Sequence, residues 1–429
     1  MSRFWEDLTF RGLVHQVTDA SLEEKLEGER ITLYAGFDPT ADSLHVGHLL
    51  GVLTLRRFQQ AGHRPIALAG GGTGMVGDPG GRSEERNLLS RDELEHNLAS
   101  IRGQLSRFLD FDQKSEGGSA LLLDNGQWLW ELGLLEFLRD TAKHFTVNQM
   151  IAKESVRSRL EGREQGISFT EFSYMLLQAQ DFLHLHDNYG CRLQIGGSDQ
   201  WGNITAGVDL IRRKRAVEVW GLTTPLVLKA DGTKFGKSAS GTVWLDARRT
   251  SPYALYQFML QSEDSVVGRY LRYFTWLERE EIVALDQATA DTPGLRRAQR
   301  ALASEVVAVV HGRDAAAAAE SASRALFGGD LRALDEPALK EVLAEAPSSC
   351  HPYSRLQGEG WDLLQALVSA GLCGSLGEGR RAVAQGGVAI NGARVDRTDR
   401  SIREDDLLWG RYVALRKGKH SWHLLQFGG

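Results

Sequence analysis

The sequence predicts an α/β fold built on a parallel sheet, followed by an α-helical domain and a small α+β module. Three observations lead there. The N-terminal half alternates short apolar runs with stretches of helical apolar spacing, the pattern of strands joined by crossover helices. From about Thr250 to Phe327 the spacing is helical throughout. The final stretch combines two short helical patterns with a hairpin pattern around Asn391-Gly392, a pair suited to the positive φ angles of a type I′ turn.

In chain order, Ile31 to Phe37 reads as a strand running into Asp38-Pro39-Thr40, and Leu44 to Phe58 as the helix after it. Ile66 to Ala69 is a second strand, draining into Gly70-Gly71-Gly72-Thr73-Gly74, where missing side chains let a ligand approach the backbone. Arg192 to Ile195 forms another strand before Gly196-Gly197-Ser198-Asp199-Gln200. In the helical region Tyr253, Tyr256, Gln257 and Leu260 share one face, and Ala315 to Ala319 is a strong helix former. Pro337, Pro347, Ser348, Ser349 and Pro352 mark a composition shift that fits a linker or a loosely packed connection. Beyond it Leu363, Leu364, Leu367 and Val368 suggest a helix stopped at Gly371, and Ser375 with Glu378 has capping-box spacing for another. The expected divisions are therefore 1–240, 241–330, a linker at 331–358, and 359–429.

A chain of 429 residues with 42% hydrophobic and 25% charged residues is a folded globular protein of two or three domains. Its net charge of -6 means that any nucleic-acid site must be a local patch. No apolar run reaches membrane-span length, and MSRFWEDLTF lacks the apolar core of a secretory leader, so a cytoplasmic location is expected. Three cysteines, Cys191, Cys350 and Cys373, give neither a disulfide framework nor a zinc spacing.

Two motifs carry chemistry. His45-Val46-Gly47-His48 falls at a helix start, where exposed amides and the positive dipole end suit a polyphosphate and Gly47 leaves room for a flat ring. By itself it also fits surface histidines or metal ligands. Lys234-Phe235-Gly236-Lys237-Ser238 places two lysines around a glycine, able to fold over phosphates; alone it also fits a solvated loop. A third pattern is Tyr174, Gln178 and Asp181 at i, i+4 and i+7, one helical stripe that suits an ammonium at one end and a phenol at the other, or simply a polar surface. Gly197 and Asp199 fit a ribose-binding turn or a plain tight turn, and Tyr34 fits either a pocket or core packing.

In their order, the His-x-Gly-His and Lys-x-x-Lys-Ser elements resemble the two signatures of the class I aminoacyl-tRNA synthetases. YAGFDPTADSLHVGHL, GGTGMVGDPGGRSEER, GISFTEFSYMLLQAQDFL and LQIGGSDQWGNITAG narrow the resemblance to the bacterial-type tyrosyl family, and the terminal segment resembles an S4-type RNA-binding module. The resemblance covers nearly the whole chain. It implies a Rossmann-like parallel-sheet catalytic domain, an α-helical anticodon-recognition domain and an S4-like domain. It implies that Tyr34 and Asp181 hold a tyrosine hydroxyl, that Asp78, Tyr174 and Gln178 hold its ammonium, and that Gln200 approaches its carboxylate. Phenylalanine would leave buried polar partners unpaired. ATP falls to Asp38, Thr40, His45, Gly47, His48, Gly197, Asp199, Lys234, Lys237 and Ser238, with Arg82 and Arg86 candidates to close over pyrophosphate. Arg82 stands where lysine is common, and Asp124-Asn125-Gly126-Gln127-Trp128 departs from the usual Asn-Asn-x-Asp-Trp pattern, which weakens Asn125 as a site residue.

The implied reaction joins L-tyrosine to ATP and then to tRNA(Tyr), with Mg²⁺ accompanying ATP and no zinc. Positioning and charge stabilisation suffice, so no enzyme nucleophile is expected. The stretch from Arg411 onward has Arg411, Arg416, Lys417 and Lys419 and no acidic residue; Arg380, Arg381 and Arg394 are expected to extend that face toward tRNA phosphates. A homodimer is implied, with Trp128 to Leu138 as its interface or else a buried helix. A tryptophanyl enzyme, a catalytically silent RNA-binding scaffold and a non-tRNA adenylyltransferase are the competing readings. Tyr34 with Asp181 argues against the first, the intact signatures against the second, and the RNA-like module against the third.

Overall fold

The computed structural model describes residues 3–78, 90–112, 119–153, 156–157, 160, 167–238, 241–326, 330–344, 346–418 and 421–428, with backbone alone at 237 and 238. The chain packs into two compact units, residues 1–251 with 260–310, and residues 252–259 with 311–429. The helical stretch beginning at Pro252 is thus divided between them.

The first unit holds a six-stranded sheet in the order β1 (Gln16–Val17), β6 (Trp220–Thr224), β5 (Cys191–Gly197), β2 (Thr32–Phe37), β3 (Arg64–Ala69) and β4 (Leu121–Asp124). All pairs are parallel except β1 with β6. From β2 the chain steps outward through β3 to β4, whereas β5 and β6 build on the other side. The β2/β5 boundary is therefore the switch point, where diverging connections open a crevice at the strands' C-terminal ends. Helices α1 (Val46–Gln60), α2 (Arg91–Phe108), α3 (Phe169–Tyr189) and α4 (Trp201–Arg215) belong to this unit. Phe182 and Leu183 of α3 and Leu210 and Ile211 of α4 are buried with Ile66 and Leu68, which explains why β3 reads as a continuous apolar run. Ser168 caps α3, and Gly190 ends it at φ +65°.

Past α5 (Pro252–Leu260), helices α6 (Asp264–Phe274), α7 (Arg279–Asp291) and α8 (Arg297–His311) follow. Two cations meet the C-terminal end of α6: Arg11 donates to Leu277 O at 3.0 Å, and Arg57 of α1 donates to Thr275 O at 2.6 Å. The unpaired carbonyls there supply the acceptors that buried guanidiniums need. Burial still pushes Arg57 down to about 9.

Also in the first unit, β7 (Lys237–Ser238) pairs antiparallel with β8 (Gly241–Thr242). In the second unit, β9 (Ser348–His351), β11 (Val388–Ile390), β12 (Ala393–Arg394), β14 (Tyr412–Lys417) and β15 (Ser421–Phe427) form a sheet ordered β12-β11-β14-β15-β9, while β10 (Trp361–Asp362) pairs with β13 (Ser401–Ile402). Strand period two divides its residues. Val413, Leu415, Leu425 and Phe427 pack with α11 (Leu363–Ser369) and α12 (Leu376–Ala384), whereas Tyr412, Ala414, Trp422 and Leu424 pack with α9 (Arg313–Leu326) and α10 (Glu336–Val342). Asn391 and Gly392 take φ of 53° and 89°, as the turn requires.

The expected linker at 331–358 is corrected. Leu331, Leu334, Leu339 and Leu343 are buried in the second unit's core. Pro337 sits in the first turn of α10, where a missing N–H costs nothing, and Pro347 leads into edge strand β9. These prolines mark element starts. Among the described residues no helix is long and apolar enough to cross a membrane.

Candidate active site

At the switch point lies a cavity of about 390 Å³. It gathers Tyr34 of β2, Asp38 and Thr40 beyond it, His45, Gly47 and His48 at the start of α1, Asp78, Tyr174, Gln178 and Asp181 of α3, Gly197, Asp199 and Gln200 at the end of β5, and Lys234. Residues far apart in sequence converge because each follows, or faces, the C-terminal end of a strand. A shallower hollow of about 780 Å³ beside Phe108–Phe111 and Ala120–Leu122 has no comparable set of converging polar groups, so the site is placed in the smaller cavity.

At the closed end stands Asp181, 2% exposed. Its carboxylate accepts from Asn125 Nδ2 and from Trp128 Nε1, both at 2.8 Å. Burial pushes it up to about 7, against the pull of those two bonds. Tyr34 is equally buried, and its hydroxyl has no hydrogen-bond partner among the described residues. Burial, then the Asp181 charge, holds that phenol well above its usual value. The cavity thus ends in a fixed acceptor and an unsatisfied hydroxyl.

Asn125, weakened by its departure from the family pattern, is central here. It is 1% exposed, accepts from Gly72 N at 2.7 Å, and donates to Thr73 Oγ1 at 2.9 Å as well as to Asp181. The signal available in sequence was an Asn at the end of a strand, opposite a glycine run. Trp128, read as part of an apolar stretch forming an interface or a buried helix, lends its indole N–H to Asp181.

Midway, Tyr174 Oη donates to Asp38 Oδ2 at 3.2 Å, and Gln200 Nε2 donates to Asp78 Oδ2 at 2.6 Å. Asn203 Nδ2 bridges Gln178 Oε1 and Gln200 Oε1, each at 3.1 Å, so the stripe on α3 is tied to the turn after β5. Burial and the neighbouring Asp78 charge raise Asp199, while Lys234 pulls it down. This segment is rich in acceptors and suits a cationic group.

At the open end the expected helix start shifts. α1 begins at Val46, and His45 is extended at φ -119°, ψ 169°. The reason is backbone pairing: Leu245 N donates to Leu44 O at 2.8 Å, Val46 N to Val243 O at 3.0 Å, and Val243 N to Gly236 O at 3.0 Å. This stitching sets the two signature motifs side by side. The histidines cap the helix reciprocally, His45 Nδ1 accepting from Gly47 N and His48 Nδ1 from His45 N, with rings stacked at 3.9 Å. A Cβ on Gly47 would stand 2.8 Å from the His45 ring. Gly236 has φ +108°, which favours glycine. Phe235 anchors the loop against Tyr270 and Phe274 of α6, ring centroids 4.7 and 5.5 Å away. Arg82 and Arg86 lie outside the described residues, and Lys237 and Ser238 are placed by backbone alone, in β7.

Comparison with known proteins decides the family. "tRNA synthetases class I (W and Y)" matches residues 26–328, and the "Tyrosine--tRNA ligase SYY-like C-terminal domain" matches residues 344–425. The tyrosine–tRNA ligase of Roseiflexus castenholzii is 53% identical across 99% of this chain and the whole of that protein; that of Bacillus caldotenax is 50% identical across 98% and 99%. The chain belongs to the tyrosine–tRNA ligase family. A C-terminally truncated mitochondrial tyrosyl-tRNA synthetase from Aspergillus nidulans shares its fold, with 35% identity and a TM-score of 0.68 over 76% of this chain and 95% of that one.

The described C-terminal cations expected from sequence to form one basic face are separated by the sheet. Arg394 and Arg416 lie in one cross-strand row with Ala389, the Arg416 guanidinium 5.3 Å from the Trp422 ring centre. Lys417, next in the strand, necessarily points the other way. It donates to Leu372 O at 2.7 Å and to Glu378 at 2.5 Å. Arg380, Arg381, Arg394 and Arg411 are exposed. The single basic face expected from sequence is therefore corrected, because alternation along β14 places neighbouring cations on opposite faces.

Proposed function

We propose that the cavity binds tyrosine with its phenol at Asp181 and Tyr34, and ATP toward His45, His48 and Lys234. The observation that carries this is the closed end itself: a carboxylate fixed by two donors beside a buried hydroxyl with no partner among the described residues. A phenol can donate to the carboxylate and accept from the Tyr34 hydroxyl, whereas phenylalanine does neither and an indole N–H can donate but not accept. Asp78, Tyr174 and Gln178 then receive the ammonium, with Gln200 toward the carboxylate.

The chemistry follows from alignment. One carboxylate oxygen of tyrosine attacks the α-phosphorus of ATP, the bond to the β-phosphate oxygen breaks, and pyrophosphate leaves. The amides and rings at the start of α1, with Lys234, Lys237 and Ser238 of the phosphate loop and Thr40, offset the growing charge; Arg82 and Arg86 are assigned the departing pyrophosphate. Asp38, Gly47, Gly197 and Asp199 hold the adenosine end. Mg²⁺ accompanying ATP would offset charge on the phosphates beside Lys234 and the start of α1. A hydroxyl of the terminal tRNA adenosine next attacks the adenylate carbonyl and AMP departs.

Exposed Trp130, Leu134, Leu135 and Leu138 favour a homodimer interface over a buried helix, and free cysteines are consistent with the cytoplasm. The test is ATP–pyrophosphate exchange driven by tyrosine, phenylalanine or tryptophan, with Asp181→Ala as control. Exchange with tyrosine alone, impaired in the variant, is expected; exchange driven by tryptophan would transfer the assignment to the sister enzyme.

A further inference from the structure

The acceptor at the closed end depends on an indole, and the indole depends on a residue outside the cavity. Trp128 lies in the short Gly126–Leu129 helix, and its Nε1 donates to Asp181 Oδ1 at 2.8 Å. An indole has one donor and no acceptor, so the direction of that bond is fixed by the plane of the ring. The plane is set by His184: the two rings stack with centroids 4.1 Å apart and an interplanar angle of 10°. His184 is three residues after Asp181 on α3, so the carboxylate and the imidazole rise from the same helical face and clasp the indole between them.

We infer that His184 is a positioning residue for tyrosine recognition, acting through the Trp128 ring to hold the Asp181 carboxylate where a substrate phenol meets it. It is not among the residues that line the cavity. Partial burial lowers the His184 imidazole from its usual value, so at neutral pH an uncharged ring lies against the indole. Stacking of this kind contributes enough to move an equilibrium about two- to tenfold. Two carboxylate donors, Asn125 and Trp128, share the work, so loosening one weakens tyrosine binding without abolishing it.

This inference rests on the tyrosine-binding reading, and the experiment separates the two. Tyrosine-dependent and phenylalanine-dependent ATP–pyrophosphate exchange is measured on the full chain carrying His184→Ala, His184→Phe or Trp128→Phe, with melting temperature recorded for each. Wild-type protein that fails to activate tyrosine refutes the underlying reading. Given an active wild type, His184→Ala is expected to raise the tyrosine KM about two- to tenfold, with kcat and the ATP KM unchanged and discrimination against phenylalanine reduced. His184→Phe, which keeps a flat ring for stacking, is expected to restore the wild-type tyrosine KM. Trp128→Phe, which deletes the donor, is expected to raise it further, about ten- to a hundredfold. An unchanged tyrosine KM in His184→Ala overturns the inference. So does a parallel rise in both KM values with a lowered melting temperature and no rescue by phenylalanine, since that pattern marks a merely structural role.

Discussion

Replacing Asp181 by asparagine changes one oxygen into an amide group and tests the closed end directly. The native carboxylate accepts from Asn125 Nδ2 and Trp128 Nε1 while nearly fully buried. Asparagine keeps one acceptor oxygen, so its NH₂ must face one of those donors, and Asn125 cannot turn because Gly72 N and Thr73 Oγ1 hold it. Losing a hydrogen bond to a charged group costs roughly 1.5–3 kcal/mol, which is about ten- to a hundredfold in the tyrosine KM. Exchange kinetics from pH 5.5 to 8.5 add a second readout. With Asp181 raised to about 7, the wild-type tyrosine KM is expected to fall as pH rises through that value and the carboxylate becomes the stronger acceptor; Asp181→Asn should be flat. Stability runs the opposite way. The folded protein holds this proton more tightly than the unfolded chain, so the stability it contributes is full below about 3.9 and is lost as pH rises through about 7. An unchanged tyrosine KM in the variant, or the same pH profile in both proteins, would refute the assignment of Asp181 to the phenol.

Four further outcomes are expected. Tyr34→Phe removes a hydroxyl that has no partner among the described residues, so chemical denaturation should show no loss of stability while exchange kinetics show reduced preference for tyrosine over phenylalanine. Asn125→Ala strands Gly72 N–H and one Asp181 oxygen, and urea unfolding should report a loss on the order of 2–3 kcal/mol together with a raised tyrosine KM. Burial drives His63 down to about 4, so the unfolded chain binds its proton first and stability should fall as pH drops from about 6.5 to 4, on the order of 2–3 kcal/mol; melting curves of His63→Gln should lack that slope. Arg380→Glu with Arg381→Glu should leave pyrophosphate exchange intact, weaken tRNA charging and flatten its salt dependence, by up to about two phosphate contacts.

The separation between what sequence determines and what folding decides follows from the range of the interactions. Local chemistry was legible: strand and helix periodicity gave the α/β region, Asn391-Gly392 its turn, Ser375 with Glu378 a capped helix start, and the i, i+4, i+7 spacing of Tyr174, Gln178 and Asp181 a shared face. The His-x-Gly-His and Lys-x-x-Lys-Ser motifs pointed to the family because their residue types and order are unusual. Contacts between distant segments were not legible. His45 leaves the helix because residues 243–245 pair with its backbone, and no local pattern records a bridge across such a separation. The proline-rich stretch before residue 358 read as a linker because composition marks element starts and linkers alike; only burial of Leu339 and Leu343 distinguishes them. Asn125 and Trp128 looked like a departure from a pattern and an apolar run, since a hydrogen bond to Asp181 exists only once β4 and α3 are brought together. The sequence by itself determined which elements form and which reaction they serve. The tertiary structure decided which buried polar group meets which partner, because that pairing depends on distances that only packing fixes.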